Sequence, residues 1–529
     1  FRRVLFRSEA GDADAVNRMY EELYDEYVKI DSLTALAMVN HDRDHYNEYW
    51  TEEYAAMNAL LLDMRDVFLS ACQSVLLSSC AESFAAFIGE DMTALLRSYD
   101  GPGEGDDEAL DRELQLLDAY YVLRDTADEI PFSYEGETWD MTKLRGFPGT
   151  SLSASDYAAY VTVRNGLHQA ITEAFAPLYI ELAELWTEEA RANGYDSFAA
   201  YSYEMVSRRD YGPEEAQRFC DAVKPIAREY FDHLYYSELS YAADDVIPIL
   251  TPEDILELLG EYLPRIDPVL REPWEQMTSH RLYDLAGEAP GRYGGSYTTN
   301  LLHWHSPFLY STLNGNCYDL LYITHEFGHF SDFWFNPMTN ILTQTDDLDL
   351  SEIHSNALQA LFTAFYGEIY DEGADAAAFI NLSYLLENII DGCIFDEFQR
   401  RALADPEDLT AEKLNELYTQ INGEYGRYGE RAWDSGWVGI SHNFEYPLYY
   451  ISYSASSMAA LQIWDLAQTD FDAAADVYWD ILSRGSYAES YFQVLEECGL
   501  RLFTEEGAVE AVCRPVLEAL KALDEGAYG

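Results

Sequence analysis

Two histidines with a glutamate directly after the first give one stretch of the sequence, THEFGH at 324–329, a clear chemical potential. On a helix, His325 and His329 lie on one face about 6 Å apart, so both imidazoles can reach one metal ion. Such a pair is half of the zinc site of a metallohydrolase, and Glu326 stands where a general base is needed. The alternative is a chance match on a helix whose histidines only make hydrogen bonds in the core.

A catalytic zinc site needs a third protein ligand and one open position for water. Glu352 stands at the start of a predicted helix over 351–358, and a second helix that crosses the first commonly supplies this ligand. Asp349, one turn earlier, is the alternative third ligand. His354 is two positions from Glu352, so we expect its side chain to point elsewhere.

A histidine followed by closely spaced tyrosines forms a third candidate feature, His442 with Tyr446, Tyr450 and Tyr453. The three tyrosines fall at i, i+4 and i+7, which predicts one stripe on a helix. Phenols near a reaction centre can donate hydrogen bonds to a developing oxyanion. Because the chain has 42 tyrosines, a stripe that only packs in the core is an equally good interpretation of the spacing.

The elements that must position these residues follow from the apolar pattern. Apolar residues recur at three- and four-residue spacing over most of the chain, which predicts helices. In 289–313, directly before the histidine motif, glycines, β-branched residues and aromatics predict a few strands. The sequence therefore predicts a mainly α fold with a small β-sheet beside the helix that carries the motif.

A helix stop at Asn193-Gly194-Tyr195 predicts a domain boundary. We expect an N-terminal helical region over 9–194 and a catalytic domain over 195–529. Residues 1–8 carry three arginines in a chain that is poor in basic residues, and we interpret them as a non-native leader.

The charge balance limits the partners. The chain has 32 basic and 96 acidic residues, a net charge of −64, which argues against nucleic acid and anionic membrane surfaces as partners.

The sequence has no run of about 18 apolar residues, so we expect no segment that spans a membrane. The seven cysteines include no C-x-x-C pair, and we expect reduced, buried thiols. The sequence does not indicate the oligomeric state.

Taken together, these stretches resemble the oligoendopeptidase F and thimet oligopeptidase family of zinc metallopeptidases, over about 132–454. THEFGH is similar to the family's His-Glu-x-Gly-His helix, including Gly328. Glu352 follows His329 by 23 residues, close to the place of the family's glutamate ligand. The stretch 294–297 is similar to the family's glycine-aromatic strand. His442 and the tyrosines after it resemble the family's C-terminal segment, which helps to polarise the scissile carbonyl.

The resemblance implies an elongated helical metallopeptidase with a deep substrate channel, which cleaves internal bonds of short oligopeptides. It implies one Zn²⁺ per chain, held by His325, His329 and Glu352, with Glu326 as the general base for a zinc-bound water. It further implies a cytoplasmic location, or an exported or cell-surface one if the native N-terminus is missing. The remaining implied site residues are His442, Tyr446, Tyr450 and Tyr453 for catalysis, and Gly294, Gly295, Ser296, Tyr297 and Tyr449 for substrate binding.

One departure from the family pattern bears on the metal. Family members usually carry a second glutamate seven positions after the ligand glutamate, whereas this chain has Gln359. An amide can hydrogen-bond a ligand histidine but supplies no negative charge, which predicts weaker zinc binding. Two alternatives therefore stay open: a zinc carboxypeptidase, and a catalytically decayed peptide-binding protein.

Overall fold

A computed structural model describes residues 12–99, 106–146, 154–235, 237–428, 435–487 and 489–527, and the predicted leader 1–8 lies outside this part of the chain. The described chain is mainly α-helical, which confirms the predicted fold class. The α-helices span Ala13–Arg43, Glu48–Leu76, Ala81–Ile88, Glu90–Ser98, Asp106–Asp125, Met141–Arg145, Ala154–Ala192, Phe198–Tyr201, Pro213–His233, Glu238–Val246, Pro252–Ile266, Arg271–His280, Asp319–Phe335, Leu348–Phe362, Tyr366–Ile369, Ala374–Ala402, Ala411–Glu424, His442–Glu445, Ile451–Ala467, Phe471–Arg484, Tyr491–Glu497 and Ala508–Ala527.

Two small sheets complete the described fold. The strands are β1 (Phe132–Tyr134), β2 (Glu137–Trp139), β3 (Tyr283–Gly287), β4 (Ser296–Leu301) and β5 (Ser306–Leu313). In the larger sheet the order is β3-β5-β4, with β3 parallel and β4 antiparallel to β5. The predicted sheet before the histidine motif is therefore confirmed, and β4 is one of its edge strands.

Two crossing helices bring the sequence motifs together. The HEFGH helix (Asp319–Phe335) crosses the Glu352 helix (Leu348–Phe362) at Gly328. A Cβ at Gly328 would lie 2.5 Å from the Cα of Ser355, so only glycine permits this close approach. Asp347 fixes the start of the Glu352 helix, because its carboxylate accepts hydrogen bonds from the backbone N–H groups of the next helical residues.

The predicted tyrosine stripe over Tyr446, Tyr450 and Tyr453 is wrong. The chain forms one short helix, His442–Glu445, and a new helix begins only at Ile451. Pro447 is the physical cause, since it disfavours helical geometry in the residue before it and cannot donate a backbone hydrogen bond. Leu448 then takes a positive φ of 64°, and this turn redirects the tyrosines.

Most of the buried apolar side chains form one large core, which runs in sequence from Leu116 to Leu520 and takes residues from both sides of position 194. A second core joins the N-terminal helices between Val16 and Leu96. The proposed division into 9–194 and 195–529 stays a prediction. The seven cysteines are free thiols, and five are buried.

One segment within the described chain, Asp371–Ala402, is long and apolar enough to cross a membrane. Its most apolar window is 72% buried inside the protein, as is usual for a helix of a folded core. We therefore assign the segment to the core. The substrate channel implied by the family resemblance stays a prediction.

Candidate metal centre

His325, His329 and Glu352 meet where the two helices cross. The Nε2 atoms of His325 and His329 lie 3.4 and 3.6 Å from the same carboxylate oxygen, Oε2 of Glu352. The three prospective ligand atoms lie within 4.8 Å of one another. The structure thus brings together the three residues that the sequence singled out as metal ligands.

The donor set suits a divalent metal such as zinc. Two imidazoles and one carboxylate are a common set for catalytic zinc, and bonds of about 2.0–2.1 Å in a tetrahedron place ligand atoms about 3.3 Å apart. The separations of 3.4 and 3.6 Å are close to this value. The side chains are 14%, 14% and 5% exposed, so the two histidines keep one side open to solvent.

Electrostatics also favour a cation at this point. Burial would raise the pKa of Glu352, but the two imidazoles hold it well below its usual range. Burial would lower the pKa of His329, but the carboxylates of Glu352 and Glu326 outweigh burial and raise it to about 9. The cluster therefore attracts positive charge, and a metal ion can take the place of the proton.

Glu326 is buried beside the ligands, and its carboxylate is held by a residue that the sequence did not reveal. The hydroxyl of Thr298, on the edge strand β4, lies 3.0 Å from Oε2 of Glu326 and 2.9 Å from its carbonyl oxygen. Burial raises the pKa of Glu326, whereas the imidazoles and Thr298 oppose this shift. Alternation along β4 was the available signal, because Thr298 points to the opposite face from Tyr297.

The alternative ligand Asp349 lies elsewhere. Its carboxylate is buried 3.7 Å from the guanidinium of Arg209, in a pair whose side chains are both 2% exposed. His354, expected to point away from Glu352, is fully buried with Nδ1 3.1 Å from the carboxylate of Asp332. Neither residue belongs to a cluster of potential metal ligands in the described chain.

Gln359 does not make the contact with a ligand histidine that the sequence allowed. Its Nε2 donates to Oδ1 of Asn381 at 2.7 Å, and the backbone carbonyl of Gln359 accepts from Nδ2 of Asn381 at 3.0 Å. The side chain is fully buried. The amide thus belongs to a polar pair in the core.

His442 lies at the centre of a group of tyrosines. Its ring centroid is 5.0 Å from Tyr449, 5.1 Å from Tyr450, 5.9 Å from Tyr453 and 6.2 Å from Tyr446. Burial lowers the pKa of His442 to about 4, so its imidazole is neutral at neutral pH. The broken helix therefore gathers the predicted residues by a turn and not by a stripe.

The tyrosines of this group differ in their relation to the metal ligands. The phenol of Tyr449, predicted to bind substrate, donates to Oε1 of Glu352 at 2.9 Å. The phenol of Tyr453 is 3.5 Å from Nε2 of His442, and burial raises its pKa well above the usual range. Tyr446 is 62% exposed. Tyr449 thus orients a ligand, and Tyr453 is the phenol directed towards the catalytic histidine candidate.

The predicted substrate-binding stretch at 294–297 leads into the edge strand β4. The phenol of Tyr297 donates to Asp42 at 2.7 Å, on the face of the sheet opposite to Thr298. A Cβ at Gly295 would lie 2.6 Å from the ring of Tyr293, whereas Gly294 has open space around it. The backbone of β4 pairs with β5 alone among the described strands, so β4 forms an edge of this sheet.

The chain is similar in sequence to known oligopeptidases. Oligoendopeptidase F, chromosomal, of Lactococcus lactis subsp. cremoris is 25% identical over 314 residues, which cover 55% of this chain and 49% of that protein. Group B oligopeptidase PepB of Streptococcus agalactiae is 27% identical over 315 residues, which cover 56% of this chain and 48% of that protein. The matched stretch spans about half the length of these curated relatives. No family model matches the chain.

The fold is similar to that of a solved PZ peptidase A bound to an inhibitor, with a TM-score of 0.79 and 21% identity. The similarity covers 99% of this chain and 96% of that one. Fold and site together define a helical protein with a candidate metal centre of two histidines and one glutamate. The chain is similar in sequence to an oligoendopeptidase F and to a group B oligopeptidase, and in fold to a solved peptidase, which confirms the resemblance found in the sequence.

Proposed function

We propose that the protein is a zinc-dependent endopeptidase that hydrolyses internal bonds of short oligopeptides. The observation that carries the proposal is the meeting of His325, His329 and Glu352 beside the buried carboxylate of Glu326. Zinc bound by the first three residues would lower the pKa of a water molecule to about 7 and polarise the scissile carbonyl. The names of the curated relatives, an oligoendopeptidase and an oligopeptidase, support this choice.

Glu326 acts as the general base and then as the general acid. Its carboxylate accepts a proton from the attacking water and passes it to the leaving amine, so the residue ends the cycle unchanged. A carboxylate with a raised pKa suits both steps, because it binds the proton well enough to carry it. The hydroxyl of Thr298 orients the carboxylate during the transfer.

Tyr453 and His442 stabilise the negative charge that develops on the scissile carbonyl oxygen. At neutral pH the phenol of Tyr453 keeps its proton and can donate it in a hydrogen bond. The peptide backbone pairs with the open edge of β4, in the manner of strand addition. This binding mode requires an extended substrate, which agrees with short oligopeptides.

The test uses a fluorescence-quenched peptide that is acetylated at its N-terminus and amidated at its C-terminus. We expect the wild-type chain to cleave it internally, with fragments identified by mass spectrometry. Glu326→Gln should retain zinc and lose cleavage. Glu368→Gln is the matched control, because Glu368 pairs with Arg265 at an exposed position and should retain full activity.

The same peptide separates the alternatives. A carboxypeptidase requires a free C-terminal carboxylate, so it would leave the amidated peptide intact and shorten the free acid one residue at a time. A decayed peptide-binding protein would contain almost no zinc and still bind the peptide. Cleavage at an unchanged rate by Glu326→Gln would refute the proposed role of Glu326.

A further inference from the structure

A second cluster of histidines and a carboxylate lies at the end of the N-terminal helix Ala13–Arg43. Nδ1 of His41 and Nε2 of His45 lie 3.4 and 3.3 Å from the same atom, Oδ1 of Asp42. The three atoms lie within 4.8 Å of one another, as in the metallopeptidase-type centre. We propose that His41, Asp42 and His45 bind a second divalent metal ion, and this inference is independent of the proposed reaction.

The chemistry of the donors selects the class of ion. Two imidazole nitrogens and one carboxylate oxygen suit Zn²⁺, Co²⁺, Ni²⁺ or Cu²⁺, whereas Ca²⁺ and Mg²⁺ prefer oxygen ligands only. The separations of 3.3 and 3.4 Å match the edge of a tetrahedron with bonds of about 2.0–2.1 Å. The three side chains are 15–22% exposed, so an ion can reach them from solvent.

The backbone that carries the ligands is fixed at two points. The backbone N–H of His45 donates to the carbonyl of Gly291 at 2.6 Å, and that of Tyr293 donates to the carbonyl of Asp42 at 2.8 Å. The phenol of Tyr297 donates a hydrogen bond to Oδ2 of Asp42 at 2.7 Å, which leaves Oδ1 to face the histidines. A site held in this way loses little conformational freedom when an ion binds.

Charge around the cluster also favours a cation. Asp42 places one carboxylate oxygen within 3.4 Å of a nitrogen of each imidazole. A second carboxylate, that of Asp125, lies 3.8 Å from Nδ1 of His45. Carboxylates beside the outer nitrogen of a metal-bound histidine orient the ring and increase its basicity.

The competing interpretation is a metal-free cluster in which both histidines only hydrogen-bond Asp42. The stacked rings of His41 and His45, with centroids 4.4 Å apart, are compatible with that arrangement. The two interpretations differ in the number of ions that the chain binds. An ion here would cross-link the end of the helix Ala13–Arg43 to the turn that follows it, so it should also stabilise the fold.

The experiment measures zinc per chain by atomic absorption, after removal of metal with a chelator and equilibrium dialysis against buffered Zn²⁺. We expect two zinc ions in the wild-type chain and one in His325→Gln/His329→Gln, which lacks two ligands of the centre formed by His325, His329 and Glu352. We expect one in His41→Gln/His45→Gln and none in the quadruple variant. The matched control is His233→Gln/His280→Gln, which changes two exposed histidines outside both clusters and should bind two.

A second measurement guards against loss of folding. Zn²⁺ should raise the unfolding temperature of His325→Gln/His329→Gln, and Asp42→Asn in that background should abolish the rise while circular dichroism shows unchanged helix content. Asparagine at 42 can still accept the hydrogen bond from Tyr297. One zinc ion in the wild-type chain, or a second ion that persists in His41→Gln/His45→Gln, would overturn the proposal.

Discussion

The buried ion pair of Arg209 and Asp349 allows a decisive test of which carboxylate is the third metal ligand. The two side chains are each 2% exposed, and Nε of Arg209 lies 3.7 Å from Oδ1 of Asp349. Arg209 also donates to the carbonyl of Leu448 at 3.0 Å and to the hydroxyl of Ser452 at 2.9 Å. Asp349 therefore neutralises a buried cation that holds the turn before the tyrosine helix, Ile451–Ala467.

The size of the effect of Asp349→Asn follows from this burial. Removing one partner of a buried ion pair costs about 3–5 kcal/mol. The lower end applies, because a separation of 3.7 Å is too long for a hydrogen bond and Arg209 keeps its two other acceptors. With an unfolding entropy of about 2.1 cal/mol/K per residue, a chain of 529 residues that unfolds in one transition loses about 3 °C in Tm.

Glu352→Gln tests the other candidate for the third metal ligand, and its zinc content should differ from that of Asp349→Asn. Tyr449 donates to Oε1 of Glu352 at 2.9 Å and Ser355 to Oε2 at 3.2 Å. The single glutamine oxygen can replace Oε1, and the Ser355 hydroxyl keeps its bond to the backbone carbonyl of residue 352 at 2.9 Å. We expect this variant to lose zinc from the centre formed by His325, His329 and Glu352, whereas Asp349→Asn should keep it. Calorimetry of the metal-free proteins and zinc analysis of the dialysed proteins provide the two readouts. Loss of zinc in Asp349→Asn together with its retention in Glu352→Gln would refute the assignment of Glu352.

Two further variants test the residues that hold the centre in place. Thr298→Val removes a hydrogen bond to the charged Glu326, worth about 1.5–3 kcal/mol. We expect kcat/KM to fall about 10- to 100-fold with zinc content unchanged. The control Thr299→Val, on the other face of β4, should keep kcat/KM near the wild-type value. Tyr449→Phe removes the phenol that orients Glu352 and should weaken zinc affinity about 10- to 100-fold in a competition assay with a chelator, whereas unaltered affinity would contradict that role.

The parts of the site that the sequence predicted depend on local geometry. The four-residue spacing of His325 and His329 fixes their relation on any helix, whatever else the chain does. The position of Glu352 near the start of a helix could be predicted because the residues after Asp347 have a clear helical pattern. The small sheet was readable from the glycines and aromatics that precede β5. In each case a few adjacent residues contain the information.

The parts that were missed depend on packing between distant segments. Thr298 meets Glu326 across 28 positions, and Arg209 meets Asp349 only because two helical regions share one core. Nothing in the local sequence specifies these contacts. The broken tyrosine helix is a different case, because Pro447 was a visible signal against a continuous stripe, and the regular i, i+4, i+7 spacing was given more weight than the proline.

The surroundings of Gln359 explain why an amide stands at this position and weaken the hypothesis of a decayed site. Its Nε2 donates to Oδ1 of Asn381 at 2.7 Å. The amide of Asn381 in turn donates to the backbone carbonyl of Gln359 at 3.0 Å and to the phenol oxygen of Tyr366 at 2.8 Å. A glutamate could not donate to Asn381, and its charge would be fully buried, which costs several kcal/mol unless a cation pairs with it. The packing of this core thus favours glutamine for reasons unrelated to zinc. Gln359 was the feature of the sequence that suggested a decayed site, so the hypothesis of a non-catalytic peptide-binding protein now depends on the zinc content of the purified protein.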